Sequence, residues 1–413
     1  MLQLIKNKIW HPFLAWVGPK LYGNPSRKLY VIGITGTKGK SSTIELLSEI
    51  FDCAGIQNAA LSSVHKKVGN ERHVKASDNT MPGRLAIQKF LKEAVDAECK
   101  VAIVEVTSQG VMQNRHRYID FDAAALTCLH PEHIEGHGSF ENYRGAKVSF
   151  FRYVANEPHK APPLFFINKK EENSSYFEAA VALKGKVIDF SKEWLLRERL
   201  KQNTLSQWFQ SDFNLANAAL ATAIAESYGV DWEHIYKAFK EFKGVPGRLE
   251  AYSGYIKEED GSKKLVHAIV DYAHTPVSLE SVFSFLRKEQ EKSAGNLICV
   301  FGSAGGGRDK WKRPEFGQIA EKYCQKIVLT SEDPYDEDPK AIIEEIKGGM
   351  SSAEKVEVIV DRKEAIEHAL KTAKEGDLVA VTGMGSQQYY YGPKGAKLPW
   401  SEARIIRGIL KEV

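Results

Sequence analysis

Ten residues, Gly33-Ile34-Thr35-Gly36-Thr37-Lys38-Gly39-Lys40-Ser41-Ser42, leave this chain few ways to fold. They extend the apolar run Leu29-Tyr30-Val31-Ile32, which reads as a buried parallel strand, and they lead into apolar residues at helical spacing: Ile44, Leu47, Ile50 and Phe51. Strand, glycine-rich turn and helix in this order form the phosphate cradle of nucleotide-binding α/β proteins. Glycines let backbone N–H groups approach phosphate oxygens, Lys40 supplies positive charge, and the Ser41 hydroxyl can reach a magnesium ion. The common G-x-x-x-x-G-K-[ST] pattern asks for glycine where this chain has Ile34, so the loop is a variant. Gly36, Thr37, Lys38, Gly39, Lys40, Ser41 and Ser42 are expected to hold a nucleoside triphosphate.

Further buried strands are expected at 101–106, 123–127 and 163–167. After the turn-rich break Gly244-Val245-Pro246-Gly247, more follow at 268–271, 296–301, 326–330 and 377–381. Amphipathic helical stretches lie between them, and that alternation implies mostly parallel sheets. The 413 residues exceed what one core usually organises. An α/β protein is expected in three parts: a short apolar segment over 1–28, a P-loop-type nucleotide-binding domain over 29–243, and a smaller Rossmann-like domain over 244–413. Ligands of such sheets gather at strand carboxyl ends, which places Glu105, His133 and Asn168 near the loop.

Composition removes other classes. With 43% hydrophobic and 27% charged residues the chain lacks the polar bias of disorder. A net charge of +4 without a basic block favours small anions and offers no nucleic-acid footprint. Cys53, Cys99, Cys128, Cys299 and Cys324 lie far apart and form no CxxC pair, so neither a disulfide framework nor a zinc site is expected, and a reducing cytoplasm is the expected compartment. Residues 5–17 are too few and too interrupted to span a bilayer. They read as a short helix docked on the body. The second reading is a weak contact with a membrane surface or a protein, through Trp10 and Trp16 beside Lys6, Lys8 and Lys20.

Beyond the loop, separated motifs in order over nearly all of 28–413 resemble the Mur ligase family, most closely its MurE branch, which adds the third residue of the peptidoglycan stem peptide. Asp78-Asn79-Thr80-Met81-Pro82-Gly83 stands where that family contacts a sugar nucleotide, and Thr80 matches. Glu105-Val106-Thr107-Ser108-Gln109-Gly110-Val111-Met112-Gln113-Asn114-Arg115 resembles E-V-S-S-H-G-L-x-x-x-R, which implies Glu105 as a magnesium ligand and Thr107, Gln113 and Arg115 as substrate contacts. A glutamate ending a buried strand needs a cation on physical grounds as well. His130-Pro131-Glu132-His133-Ile134-Glu135-Gly136-His137-Gly138 resembles D-H-L-D-x-H-G and puts His133 at the metal-binding histidine. Tyr143-Arg144-Gly145-Ala146-Lys147 resembles the motif whose lysine is carbamylated, making Lys147 an acid-like ligand of a second Mg²⁺.

Phe213-Asn214-Leu215-Ala216-Asn217 resembles the family's F-N-x-x-N that packs on adenine, through Asn214 and Asn217. Pro246-Gly247-Arg248-Leu249-Glu250 resembles its P-G-R-M-E hinge, with Arg248 at the nucleotide. Asp271-Tyr272-Ala273-His274-Thr275-Pro276 nearly repeats D-Y-A-H-T-P, implying Asp271 at the ribose or a lysine and His274 near the phosphates or the incoming amino acid. The basic glycine-rich stretch Phe301 to Pro314 resembles G-x-x-x-D-R-D-K-x-K-R-P, and its Arg308 suits a carboxylate clamp.

The resemblance implies an ATP-dependent amide ligase that joins an amino acid to the carboxylate of a UDP-N-acetylmuramoyl-dipeptide through an acyl phosphate. It also implies two Mg²⁺ ions, a carbamylated Lys147, and Lys40, Lys147 and His274 as catalytic groups. Two departures stand out. About 28 residues precede the first strand, so the family's uridine-binding domain is expected to be missing or a stub. Glu332-Asp333-Pro334-Tyr335 replaces the D-N-P-R of diaminopimelate-adding enzymes, and Gly383-Met384-Gly385-Ser386-Gln387 replaces G-K-G-H-E. Asp333, Tyr335, Gly383 and Gln387 are then expected to line an altered amino-acid pocket that disfavours diaminopimelate and takes lysine or another amine. A folylpolyglutamate synthase, faintly suggested by Ser62-Ser63-Val64-His65, and the ligase-like subunit of an amidotransferase are the alternatives.

Overall fold

The computed structural model describes residues 11–74, 80–132, 134–158, 161–195, 200, 207–258, 260–293, 295–352 and 354–412. The chain divides into two compact units, 1–243 and 244–413.

Among the described residues the first unit is built on an eight-stranded sheet. Its strands are β1 (Tyr30–Thr35), β2 (Asn58–Leu61), β3 (His65–Val68), β4 (Glu71–Val74), β5 (Val101–Glu105), β6 (Ala123–Leu126), β7 (Leu164–Phe166) and β8 (Lys186–Ile188), in the order β4-β3-β2-β5-β1-β6-β7-β8. From β2 to β8 the neighbours run parallel, joined by helical crossovers such as Lys40–Cys53, Arg84–Asp96 and Phe140–Asn156. Strands covered on both faces read as unbroken apolar runs, which is why β1, β5 and β6 are legible from sequence. The β3–β4 hairpin was not expected: its short polar strands, His-Lys-Lys-Val and Glu-Arg-His-Val, carry no apolar run and pair antiparallel at the sheet edge.

Aromatic rings fill the core under β1. Phe121 meets Phe150 and Phe151 meets Phe177, with ring centroids 5.1 and 5.0 Å apart. Glycine is needed at position 33 because the Phe150 ring occupies the space a Cβ would take. The β1 register sets Ile34 beside Glu105 of β5 and Thr35 beside Leu126 of β6, so three strand ends converge on the glycine-rich turn.

The helix His11–Leu21 docks on the helix Arg84–Asp96: Ala15 is buried, and Gly18 lets Gln88 and Leu85 lie 3.2 and 3.3 Å from where its Cβ would stand. Trp16 stays 47% exposed with the Lys20 ammonium 3.6 Å from its ring. Lys6, Lys8 and Trp10 lie outside the described residues. No helix among the described residues is long and apolar enough to cross a membrane.

The second unit holds a seven-stranded sheet among its described residues, ordered β13-β12-β11-β14-β10-β9-β17. The strands are β9 (Glu250–Lys257), β10 (Lys263–Asp271), β11 (Leu297–Phe301), β12 (Lys326–Leu329), β13 (Val356–Val358), β14 (Leu378–Thr382) and β17 (Lys411–Glu412); β15 (Tyr389–Tyr391) and β16 (Lys397–Pro399) form a separate ribbon. The four expected strands are present in a parallel core. β10 starts at Lys263 rather than 268, because its first half pairs antiparallel with β9 and is only partly covered.

One expectation is corrected. Cys299 and Cys324 form a disulfide, although no cysteine was expected to pair. Cys299 sits in β11, opposite Ile327 of the neighbouring β12, and Cys324 caps the helix Lys312–Tyr323 that returns the chain to that strand. The crossover brings the two Cα atoms to 6.1 Å, a proximity that a spacing of 25 residues does not reveal.

A buried ion pair ties this unit together. The Arg362 guanidinium donates to Glu402 Oε1 from Nε at 2.8 Å and from Nη2 at 2.6 Å, and Nη2 also reaches the Thr382 carbonyl at 2.7 Å. Both residues are almost fully buried. Removing one partner strands a charge, so Arg362→Met is expected to cost about 3–5 kcal/mol and to lower the melting temperature by roughly 10 °C. A calorimetric scan checks this. Pairing the change with Glu402→Leu is expected to recover much of the loss, because no unpaired charge then remains.

Candidate functional site

In the first unit the chain leaves β1 at Thr35, turns at Gly36 (φ 146°) and Gly39 (φ 81°), and enters the helix Lys40–Cys53. A side chain at Gly36 would displace the Thr127 hydroxyl, and one at Gly39 the Asn217 carboxamide oxygen. The turn is braced from β6 onward. The Thr37 amide donates to the Cys128 carbonyl at 2.8 Å, and the Thr127 hydroxyl to the Lys38 carbonyl at 2.5 Å. The Thr37 hydroxyl donates to the His130 carbonyl at 3.1 Å and accepts from the His130 amide at 3.0 Å and the Tyr143 hydroxyl at 3.1 Å.

Four groups chosen from sequence meet here. Lys40 folds back so that Nζ donates to the Gly36 and Thr37 carbonyls, both at 3.0 Å, and stands 3.9 Å from Glu105. The Ser41 hydroxyl donates to Glu105 Oε2 at 2.9 Å. Lys147, 1% exposed on the helix Phe140–Asn156, donates from Nζ to the Gly36 carbonyl at 2.7 Å. Burial, and then the charge of Lys40, hold Lys147 well below the usual lysine range. A lysine amine, a carboxylate and a hydroxyl thus share one buried corner, an oxygen-rich donor set that fits Mg²⁺ once the amine carries an acid. Ser63 was missed: its amide donates to Glu105 Oε2 at 2.8 Å and its hydroxyl lies 2.7 Å from that of Ser41.

Other expected groups are placed differently. Lys38 reaches away to Glu132 at 2.7 Å. Ser42 is buried in the first turn of the helix. Asn217 faces Gly39 and donates to Asn214 Oδ1 at 3.3 Å, while Asn214 donates to the Trp208 carbonyl at 2.9 Å. His133, Asp78 and Asn79 lie outside the described residues. Among the described residues no three His, Cys, Asp or Glu side chains cluster as metal ligands.

Thr107, Gln113 and Arg115 come together with the turn at Met81. Thr107 caps the helix Ser108–Met112, accepting from the Gly110 amide at 3.0 Å. Arg115 donates to Gln113 Oε1 from Nε at 3.0 Å and Nη2 at 2.6 Å, and from Nη1 to the Met81 carbonyl. Burial lowers its guanidinium below the ordinary value. Met81, which departs from the family loop, is buried against Gly110, whose missing side chain leaves room for its sulfur. Thr80 adjoins this turn and is half-buried.

In the second unit Asp271 ends β10 and takes the backbone amides of Leu249 and Ala273, each at 2.8 Å, so it braces the Val245–Leu249 turn. The Arg248 guanidinium lies 4.3 Å from the Tyr272 ring. His274 holds its Nδ1 2.7 Å from the Tyr272 carbonyl, and Lys312 donates to the His274 carbonyl at 3.0 Å.

Arg308, Asp333, Tyr335 and Gln387 form a second cluster. Asp333 (φ 37°) and Tyr335 (φ 52°) both adopt left-handed backbone, a strain that collects at functional sites. Asp333 accepts from Gln387 Nε2 at 2.7 Å and from the Tyr391 amide at 2.9 Å. The Tyr335 ring stacks on Tyr391 with centroids 5.5 Å apart, and its hydroxyl accepts from Arg308 Nη2 at 3.0 Å. Gly383 (φ 113°) lies against the Glu332 carboxylate. Tyr391 and Glu332 were not picked out by sequence reasoning as pocket residues.

Glu332 titrates unusually. Burial pushes it up to about 7, against the pull of Arg362 and Lys312. The folded form therefore binds the proton more tightly than the unfolded one, and the stability this contributes is lost as pH rises through about 7. The melting temperature is expected to fall between the ordinary value of 4.5 and about pH 7 and to level off above it, and Glu332→Gln to flatten that slope; a pH series of thermal scans checks this.

Comparison with known proteins finds matches to both units. The Mur ligase middle domain matches residues 34–225, and the Mur ligase glutamate ligase domain matches 247–385. The UDP-N-acetylmuramoyl-L-alanyl-D-glutamate–2,6-diaminopimelate ligase of Aquifex aeolicus is 34% identical over 399 residues, covering 95% of this chain and 79% of the relative. Its Bacillus cereus counterpart is 33% identical over 396 residues, covering 91% and 77%. A solved structure of such a diaminopimelate ligase superposes with TM-score 0.58 at 24% identity, covering 96% of this chain and 82% of that one. Mycobacterium tuberculosis folylpolyglutamate synthase complexed with ADP gives TM-score 0.67 at 15% identity, covering 90% and 91%, which speaks for the fold alone.

Proposed function

We propose a function from the premise that this chain belongs to the Mur ligase family: it is an ATP-dependent ligase that adds an amino acid to a UDP-N-acetylmuramoyl-dipeptide during peptidoglycan precursor synthesis. The observation that carries the reading is the corner where Lys40, Ser41, Glu105 and Lys147 converge on the Gly36 turn.

A carboxylate and an amine do not condense near neutral pH, because the departing oxygen is a poor leaving group. Transfer of the ATP γ-phosphoryl to the carboxylate makes an acyl phosphate; the amine then attacks the acyl carbon and inorganic phosphate departs. The 36–42 turn supplies N–H groups to the phosphates, and Lys40 offsets charge that grows during transfer. Burial pulls the Lys147 ammonium well below the usual lysine range, which favours the amine lone pair needed to attack CO₂; N–C bond formation and loss of a proton leave a carbamate. Ser41, Glu105 and this carbamate would hold magnesium, joined by His133 as the family motif implies. Magnesium bound there would neutralise phosphate charge and orient the γ-phosphoryl.

Thr80, Thr107, Gln113 and Arg115 are assigned to the sugar-nucleotide peptide. In the second unit Arg308 clamps the carboxylate of the incoming amino acid and Asp333 attracts its amine, with Lys312 close to Arg308 along the chain and bonded to the His274 carbonyl. The relatives are named for diaminopimelate; here Tyr335 and Gln387 offer no charge for a distal amino-acid head, so lysine or another amine is the proposed substrate. The proposed setting is the cytoplasm, where nucleotide-linked precursors and ATP meet. Labelling the acceptor carboxylate with ¹⁸O tests the chemistry: one label is expected in the released phosphate, and unlabelled phosphate accompanying amide formation would exclude the acyl phosphate.

A further inference from the structure

In the first unit two guanidiniums share a corner that holds no carboxylate among the described residues. Arg84 opens the helix Arg84–Asp96 and is 8% exposed. Its hydrogen bond runs from Nη2 to the Gln113 carbonyl, while its Nε is buried without an acceptor. Arg115 takes the other oxygen of the same residue: Nε and Nη2 donate to Gln113 Oε1 at 3.0 and 2.6 Å, and Nη1 donates to the Met81 carbonyl. Gln113 thus ties both cations together, and the oxygens they meet are all neutral. Burial, and then the charge of Arg115, push the Arg84 guanidinium down to about 10, so it stays charged near neutral pH. A buried cation without an opposite charge is costly, and a like charge beside it adds to the cost. The backbone there also favours an anion: Gly83 starts the helix with no side-chain cap, and the first turn carries no acidic residue. One short helix, Ser108–Met112, separates Gln113 from Thr107 and the Glu105 end of β5.

We infer that Arg84 is a further acceptor-binding residue: with Arg115 it seats an oxyanion of the acceptor other than the carboxylate that is phosphorylated, through charge-assisted hydrogen bonds from both guanidiniums. This rests on the assignment of Thr80, Thr107, Gln113 and Arg115 to the acceptor made above. A UDP-N-acetylmuramoyl-dipeptide ending in glutamate carries two such groups, the diphosphate and the glutamate carboxylate that does not react, and the seat offers the same chemistry to either. The orphaned Nε of Arg84 gains an acceptor when the seat fills, and the two positive charges gain the counter-charge that the described residues do not provide. A merely structural Arg84 would instead hold the Gln113 carbonyl at the end of the helix Ser108–Met112, a task that needs a donor and no buried charge.

Arg84→Met in the full chain keeps the stem and removes the charge. The acceptor KM is expected to rise roughly ten- to a hundredfold, while kcat and the KM for ATP hold, because binding common to ground and transition states is what is lost. The melting temperature of the unliganded protein is expected to hold or rise, since an uncompensated buried charge is gone; a structural clamp predicts a fall. Arg84→Lys is expected to recover part of the affinity, as a point charge without the planar fork. Two arms identify the oxyanion. If the diphosphate is seated, UDP used as a competitor weakens in Arg84→Met by the same factor as the whole acceptor; if the glutamate carboxylate is seated, an acceptor with that group amidated binds the native chain and the variant alike. An unchanged acceptor KM, no response in either arm, or a raised KM accompanied by matching losses in kcat and melting temperature overturns the proposal. If the native chain does not turn over the muramoyl-dipeptide, the functional reading fails, and thermal shifts with pyrophosphate and with alanyl-glutamate still decide the seat: a larger rise in the native chain than in Arg84→Met retains it, and equal shifts remove it.

Discussion

Lys147→Met is expected to abolish ligation, lowering kcat on the order of a thousandfold or more, because it removes the nitrogen on which the proposed carbamate forms. Methionine nearly matches the lysine stem in volume and leaves no buried charge, so the fold and its melting temperature should persist. That separates a chemical role from a structural one. Lys147 donates one hydrogen bond to the Gly36 carbonyl, which Lys40 also contacts, so losing it leaves the turn with a donor. Lys147→Arg is expected to fail equally, since guanidinium stays charged and takes up no CO₂. Carbon-13 bicarbonate gives an independent check: a carbamate resonance should appear in the native chain and vanish in either variant. A fully active Lys147→Met protein would remove this residue from the mechanism.

Glu105→Gln is the second large effect. The carboxylate is 3% exposed and gathers the Ser41 hydroxyl, the Ser63 amide and, at 3.9 Å, the Lys40 ammonium. Glutamine keeps the shape but discards the charge, which leaves Lys40 without its counterion and the proposed magnesium without an anionic oxygen. The expected loss in kcat is about a hundredfold to a thousandfold, or roughly 3–4 kcal/mol, together with a higher magnesium requirement. Titrating activity against magnesium separates the two components. A variant that regains full rate at high magnesium would assign Glu105 to metal affinity alone, whereas a rate that stays low assigns it to positioning the turn as well.

How far the sequence carried this account depended on how local each feature is. The β1 strand, the glycine turn and the following helix were legible because the pattern is contiguous and each residue has one plain reason to be there. Lys147 and Glu105 were reached by motif resemblance, and the fold brings both to the turn. Ser63 was not singled out, since its place depends on β2 running beside β5 and so on the sheet order. The β3–β4 and β9–β10 pairings escaped because antiparallel edges mix polar and apolar residues. The cysteine pair, Tyr391 stacked on Tyr335 and the Arg362–Glu402 bridge join residues between 25 and 56 positions apart, contacts that no local spacing encodes. Asn214 and Asn217 show the opposite limit: the motif was visible, yet their side chains face the turn, Trp208 and each other.

The measurement to make first is phosphate release from ATP and Mg²⁺ by the purified chain, given UDP-N-acetylmuramoyl-dipeptide and single amino acids in turn, with folate plus glutamate in parallel. The expected result is release that requires both the nucleotide-dipeptide and one amino acid, lysine foremost, with a product heavier by that residue minus water. Turnover only with folate and glutamate, or release that ignores every acceptor, would contradict the assignment.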